Sequence, residues 1–463
     1  MGTSNTCNIN ENPEVHLKSP VQFNLCWDME LRNVKGTRDL LAPDKIVRDE
    51  LIARLKRIFE RYGYNPIETP ALELQETLAS KYAGGEQILK EVFTLKDNAD
   101  RDLGLRYDLT VPFARVVASN QELKRPFKRY QIDRVWRNGP IKLGRYREFY
   151  QCDVDVVGIK SLAAEAELWR MIEDFFGELS VPIKIKVNNR KILTAIMAYA
   201  GISSQQEADA ILSLDKLAKI GVSGVKKELG QKDIDSEKAD KLLSICAPVE
   251  NANGNSESSI SLAKLSEKIT NCAGIAELTE AMNFAKEYGV KSIEFDVSLA
   301  RGLSYYTGTI WEVYFADTTI GITSSIGAGG RYDNMVGMFL DNREQIPAVG
   351  TSFGLDVIID GLKLSGKLSQ KESVVRAYIV PIKTLPQSIA IVQKLRAAGI
   401  NADLDMNGKG PGKNLEYVNR YKIPFVIIVG EDEVNSGTVT LRDMTSGEQT
   451  KVSLDAAIQT LLK

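Results

Sequence analysis

RVWRNGPIKLGRYREFYQCDVDVVG, residues 134–158, places Arg134, Arg137, Arg145 and Arg147 within fourteen positions and follows them with Asp153 and Asp155. On both sides of the segment NGPIKLG, charged residues alternate with aromatic or branched ones, which predicts two paired strands joined by a turn. Side chains on a strand point to alternate faces, so this pairing projects some of the guanidiniums onto one face together with the downstream carboxylates. Arginine holds phosphate through a planar fork and stays charged, so such a face suits a polyphosphate. A solvated hairpin carrying surface ion pairs has the same spacing.

Outward from this hairpin, residues 92–158 read as short strands (EVFTLKD, LGLRYDLT, FKRYQIDRVWRNG, YREFYQCDVDVVG) of an antiparallel sheet with one chemically active face. Upstream, residues 44–62 place Ile46, Val47, Leu51, Ile52, Leu55, Ile58, Phe59 and Tyr62 at helical spacing, with Gly63 as the stop. Pro66 and Pro70 confine the next segment to an edge. Downstream, 161–180 is helical, with Ser161 as candidate N-cap. Residues 189–290 read as a helical insertion, interrupted by the polar segment 248–261, which is expected to be mobile. Strand texture returns at 293–315 and ends near 365. From 374, strand and helix alternate in a small α/β domain with a largely parallel sheet and a hairpin at Ser446–Gly447.

The chain has 463 residues, 43% hydrophobic and 26% charged, ordinary for a globular protein of about three domains. A net charge of -2 means that nucleic acid would be held by a local patch rather than by global attraction. The single histidine, His16, removes histidine-pair, Ser/His/Asp and His-rich metal chemistry. Cys7, Cys26, Cys152, Cys246 and Cys272 have no CxxC spacing, so neither structural zinc nor a disulfide scaffold is expected. With no apolar run of membrane-spanning length and no signal-peptide pattern, the chain reads as cytoplasmic, without membrane contact. Met1, Gly2 and Thr6 match a short myristoylation pattern that a disordered polar tail also satisfies.

Three more stretches carry chemistry. LRYDLTVPFAR, 105–115, reads as an apolar strand in which Asp108, beside Thr110, needs a partner: a ligand ammonium, or Arg106 or Arg115 within the chain. RGLSYYTG, 301–308, offers one arginine and two adjacent tyrosines, which on a strand would face opposite ways. GAGGRYD, 327–333, lets backbone approach a ligand or simply makes a tight turn. It is not GxGxxG, and GKGPGKN at 408–414 fails the P-loop pattern at Asn414.

Taken in order and separation with AVGTSFGLD at 348–356, these blocks resemble histidyl-tRNA synthetases, which are class II aminoacyl-tRNA synthetases, from about residue 33 to the C-terminus. The resemblance implies an α+β class II catalytic domain, an antiparallel sheet flanked by helices. It divides the chain into a polar N-terminal extension (1–32), a first catalytic segment (33–188), a helical insertion (189–290), a second catalytic segment (291–366) and an α/β anticodon-binding domain (373–463). It implies activation of L-histidine by ATP, with Mg2+ accompanying the phosphates, then transfer to tRNA(His). It also implies a homodimer built on the 44–62 helix and the strand through Pro70, although that helix could equally pack within one subunit.

Residue by residue, the resemblance assigns Arg137 to the α-phosphate, Arg145 to the ATP phosphates, and Arg301 to both the substrate carboxylate and the α-phosphate. Arg301 and Arg137 are the implied catalytic residues, and no protein-held metal is implied. Asp108 and Gln151 match positions for the α-ammonium, and Thr110 matches a histidine-binding position; Asp155 and Tyr306, with Tyr305 close by, match those that read the imidazole; Gly329, Gly330 and Arg331 would line the pocket. The chain departs from the common pattern at Gly139, usually acidic, and at Val357, usually the arginine that stacks on adenine, which either leaves adenine to apolar and backbone contacts or weakens ATP handling. The rival reading is a histidine-sensing paralogue, but those generally lack the C-terminal domain and erode RGLxYYTG.

Overall fold

The 44–62 periodicity becomes the helix Ala42–Arg61, with a proline in its first turn, where a missing N–H costs nothing, and Gly63 at φ +79 just past its end. Val47, Leu51, Leu55, Ile58 and Phe59 form its buried stripe. The Phe59 ring lies 5.5 Å from Tyr130 and 5.7 Å from Phe353, so this helix walls the chain's own core.

A computed structural model describes residues 31–79, 89–247, 249–250, 256–257, 260–302, 305–340, 344–368 and 371–463. The N-terminal 30 residues, with the myristoylation pattern, His16, Cys7 and Cys26, lie outside the described residues, as does most of the 248–261 segment. In chain order the strands are β1 (Asn65–Pro66), β2 (Leu72–Leu74), β3 (Thr94–Lys96), β4 (Asp102–Leu105), β5 (Phe127–Trp136), β6 (Glu148–Val157), β7 (Ile183–Asn189), β8 (Val249–Glu250), β9 (Ser256–Glu257), β10 (Ile293–Phe295), β11 (Thr309–Phe315), β12 (Gly327–Arg331), β13 (Ala348–Gly354), β14 (Ala377–Pro381), β15 (Ala402–Leu404), β16 (Phe425–Val429), β17 (Thr438–Asp443) and β18 (Gln449–Ser453).

The main sheet runs β1-β5-β6-β13-β12-β11-β7-β10. It is antiparallel except at its margins, where β1 joins β5 and β10 joins β7 in parallel. The two strands flanking NGPIKLG pair as expected, with Arg129 opposite Asp155, Gln131 opposite Asp153 and Asp133 opposite Gln151. β13 extends those rows, placing Gly350, Ser352 and Gly354 beside Asp155, Asp153 and Gln151. Paired residues of an antiparallel ladder share a face, so the rows form one polar floor. The other face is mostly apolar: the helix Ala163–Glu178 lays Trp169 against Trp311, edge to face at 5.7 Å.

Between β7 and β10 the chain runs through helices at Arg190–Tyr199, Glu207–Leu214, Leu217–Gly230, Ser236–Cys246, Leu262–Lys268 and Ala273–Glu287, started in part by Asp235 and Ser261 caps. The C-terminal sheet, β15-β14-β16-β17-β18, encloses its own apolar core around Ile379, Leu395 and Ile427. There Asn414 is structural: its side-chain amide donates to Asp405 at 2.9 Å and to the Lys409 carbonyl at 2.8 Å.

Three local expectations are corrected. In LRYDLTVPFAR the strand ends at Leu105 and the helix Thr110–Ser119 begins, Pro112 being tolerated in its first turn, so Asp108 stands at a helix start. Tyr305 and Tyr306 precede β11 and belong to no strand. The Ser161 hydroxyl accepts the Ala163 N–H at 3.3 Å, but the boundary residue of the helix is Leu162.

Candidate active site

The polar floor collects side chains from distant segments. From β5 comes Arg129, fully buried, whose Nη2 lies 2.7 Å from Asp155 Oδ2 and donates to the Leu109 carbonyl at 3.2 Å. Its guanidinium sits 4.3 Å from the Phe113 ring centre. Asp155 is held a second time by the Tyr332 hydroxyl, which donates to its Oδ1. It leans across Gly350, where any Cβ would sit 1.8 Å from Oδ1, so only glycine fits there. Burial pushes the Asp155 carboxyl up against the opposing pull of Arg129.

Asp108 is buried and pairs with neither arginine considered for it. Arg106 binds Asp133 at 2.7 Å and Arg115 binds Glu73 at 2.7 Å. Asp108 Oδ1 instead accepts the Val111 N–H at 3.0 Å. Burial raises its carboxyl, with the Val111 N–H and the nearby charge of Arg137 opposing. Arg137 is aimed by its own Nε, which donates to the Tyr107 carbonyl at 2.9 Å, and its guanidinium lies 5.4 Å from the Phe149 ring. Asp108 and Arg137 therefore meet at one end of the floor, and Thr110 follows Asp108 as the first residue of the helix.

Arg301 is delivered from the other side. Asn188 on β7 donates to the Val297 and Leu299 carbonyls at 3.1 and 3.0 Å, clamping the segment that leads to it. Arg301 Nη1 then contacts Glu312 Oε1 at 2.5 Å, and its guanidinium lies 5.8 Å from the Tyr306 ring. Glu312 also accepts the Tyr314 hydroxyl. Glu312 is opposite Ala328 on β12, and Ala328 is opposite Ser352, which is opposite Asp153. Three strand spacings of about 4.8 Å separate Glu312 from Asp153, a floor of roughly 14 Å between the arginine end and the carboxylate end. Tyr305 and Tyr306 pack rings at 4.6 Å, and Tyr305 reaches Tyr332 at 6.1 Å. Desolvation raises all three phenols, keeping them neutral donors.

The same register corrects two expectations. Gly330 lies in the floor row, and a Cβ there would meet the Tyr306 ring at 2.7 Å; Gly329 faces the other way, where a Cβ would meet Trp311 at 2.5 Å. Arg331 also points to the helix side. Its Nε and Nη2 grip Glu165 at 2.7 Å each, and Nη1 donates to the Ile159 carbonyl at 3.1 Å, so it braces the sheet rather than lining the pocket. Arg145 is exposed in the connection between β5 and β6, bridged to Lys142, outside the buried cluster. Arg129, Glu312 and Tyr332 escape sequence reasoning because their roles follow from register between strands far apart in the chain.

Val357 sits where Gly144 of that connection closes down, a Cβ at Gly144 falling 2.8 Å from its methyl. The preceding Asp356 is bound by Arg38 and Arg48 and accepts the Tyr150 N–H at 2.9 Å. Arg38 lies 3.8 Å over the Tyr146 ring.

The comparisons agree with this architecture. The profile for histidyl-tRNA synthetase matches residues 36–358 and that for the anticodon-binding domain matches 376–463. The chain is 43% identical to histidine–tRNA ligase 1 of Bacillus cereus, covering 92% of this chain and 99% of that one, and 40% identical to histidine–tRNA ligase of Phocaeicola vulgatus, covering 91% and 96%. The crystal structure of histidyl-tRNA synthetase from Nostoc sp. PCC 7120 superposes with a TM-score of 0.79 at 31% identity, covering 94% of this chain and 99% of that one. With its profile spanning residues 36–358 and relatives 43% identical over nearly their whole length, the chain belongs to the histidyl-tRNA synthetases.

Proposed function

We propose that the histidine–tRNA ligase reaction of this family is divided among this chain's residues along the polar floor. The histidine carboxylate attacks the α-phosphorus of ATP, the bond to the bridging oxygen breaks, and pyrophosphate leaves. The terminal ribose hydroxyl of tRNA(His) then takes the histidyl group from the adenylate, releasing AMP. Both steps rest on positioning and on stabilising negative charge, which needs arginines in fixed places and no histidine of the protein's own. Arg301, oriented by Glu312 and Asn188, would bridge the substrate carboxylate and the α-phosphate; Arg137 would hold the α-phosphate from the opposite end. Arg145, exposed on the connection, would join the outer phosphates only once ATP is bound.

For the amino acid, Asp108 and Gln151 would take the α-ammonium, with Thr110 beside them in the histidine site, while Asp155 and Tyr306 would satisfy the two imidazole nitrogens, with Tyr305 packing behind. A pocket that pairs both ring nitrogens leaves polar groups unpaired with any other side chain, which gives selectivity without editing. Among the described residues no set of three or more His, Cys, Asp or Glu side chains is placed to hold a metal ion, so Mg2+ is assigned to the ATP phosphates as a component of the substrate. The α/β domain after residue 373 would read the anticodon of tRNA(His).

A homodimer is supported by the face of the small β2-β4-β3 sheet, where Leu72, Leu74 and Leu95 are exposed beside the Pro70 segment. A leucine patch of this kind is costly in water and suits a two-fold contact; sedimentation of Leu72→Glu/Leu74→Glu should shift the particle from dimer to monomer. No helix among the described residues is long and apolar enough to cross a membrane, and we place the enzyme in the cytoplasm.

The observation that carries the reading is the single floor joining Asp108, Gln151, Asp155, Tyr306 and Arg301. Its test is charging of tRNA(His) transcript with each of the twenty amino acids: histidine alone should be accepted. Histidine binding without any charging would favour the sensor.

A further inference from the structure

The floor holds a carboxylate that the preceding assignments leave unused. Asp153 lies between Gln151 and Asp155 on β6 and shares their face; it is opposite Gln131 on β5 and Ser352 on β13. It is 2% exposed, and among the described residues its Oδ1 has neither a hydrogen-bond partner nor an ion pair. Gln151 Oε1 is buried and unpartnered as well, while the Gln151 amide donates to the Ser352 hydroxyl at 3.3 Å. Two buried acceptors on one strand face, linked through one serine, form a place built for N–H donors that the protein itself does not supply.

The neighbours narrow the ligand. Asp155 is committed to Arg129 and Tyr332, and its row contains Gly330 with the Tyr306 ring lying on it, the place assigned to the imidazole. Asp153 stands one row away, toward Gln151 and Asp108. Three carboxylates, Asp108, Asp153 and Asp155, face the two guanidiniums of Arg129 and Arg137, so one negative charge is left over in a desolvated space. Burial drives the Asp153 carboxyl up to about 7, with Arg129 opposing and the Asp155 charge adding to the rise. Without ligand, a proton relieves that surplus; a cationic ligand would replace it.

Resting on the histidine-site reading above, we infer that Asp153 contacts the substrate: Asp153 Oδ1, Gln151 Oε1 and the Asp108 oxygen not used by Val111 accept the three N–H bonds of the amino acid's α-ammonium. An ammonium has three donors and no acceptor, and the floor offers three acceptors.

The test is histidine-dependent exchange of pyrophosphate into ATP by the full-length protein and by the isosteric Asp153→Asn, with histidinol and deaminohistidine as competing ligands. Loss of a charged hydrogen bond should raise the histidine KM by about 10- to 100-fold, leaving the ATP KM nearly unchanged, which also reports that the variant is folded. Histidinol, which keeps the ammonium, should lose inhibition by the same factor; deaminohistidine, which lacks it, should not. An unchanged histidine KM in Asp153→Asn, or equal weakening of both competitors, would overturn the inference. Absence of exchange in the wild type is a separate result, and it would overturn the histidine-site reading itself.

Discussion

Arg331 and Arg301 lie on opposite faces of the main sheet, each beside a glutamate, and they are held in opposite ways. Arg331 is clasped by Glu165 through two donors, with its third nitrogen on a backbone carbonyl, so its binding capacity is spent inside the protein. Arg301 meets Glu312 through one nitrogen and keeps the side of its guanidinium toward Tyr306 and the floor. An arginine with all its donors paired is a brace; one anchored at a single corner is oriented and still able to bind. The same distinction separates Gly329, packed on Trp311, from Gly330, under Tyr306.

Breaking the brace should have the largest effect on stability. Arg331→Ala leaves Glu165 buried and unpaired, a loss of about 3–5 kcal/mol, measurable by urea unfolding, while the enzyme that remains folded should keep the wild-type histidine KM. On the floor, Arg137→Ala should reverse the pattern. Removing one donor to a developing negative charge costs about 10²–10³ in rate; stopped-flow adenylate formation should show that loss, with the melting temperature and histidine affinity nearly unchanged.

The glycine pair sharpens the contrast at smaller scale. Gly330→Ala pushes a methyl into the Tyr306 ring and should raise the histidine KM by about tenfold, whereas Gly329→Ala meets Trp311 and the Gly350 carbonyl and should act on stability, each overpacking costing about 1–3 kcal/mol. A Gly329→Ala variant with full stability and a raised KM would reverse their assignment to faces.

A pH dependence extends the contrast to Asp153. Because the folded protein holds the Asp153 proton more tightly than the unfolded chain, it binds more protons in the window between 3.8 and about 7 and loses stability as pH rises through it. Ligand-free Asp153→Asn escapes that loss, so its melting temperature should exceed that of the wild type at pH 8, with the gap closing toward pH 4. Calorimetry across that range checks the sign.

The hairpin 134–158 is legible in the sequence because alternation on both sides of a turn allows only one pairing, and the 44–62 helix because its stripe is continuous. Asp108 is misplaced in a strand by sequence reasoning because TVPFAR is apolar enough for either state, and Pro112 is as acceptable in a helix's first turn as at a sheet edge. The adjacent tyrosines read as strand residues, yet β11 starts only at Thr309. Arg331 looks like its neighbours in GAGGRYD; the parity that turns it toward Glu165 comes from β12 pairing with β11 and β13. The site's chemistry is thus written in local motifs, while the division between binding groups and braces is written in long-range register.

Arg301 tests the account most directly. Pyrophosphate exchange and equilibrium histidine binding should be measured on the wild type and Arg301→Ala. The floor predicts histidine-dependent exchange in the wild type and, in the variant, a fall of about 10²–10³-fold in exchange with a much smaller loss of histidine binding. An Arg301→Ala variant that exchanges at the wild-type rate would contradict it.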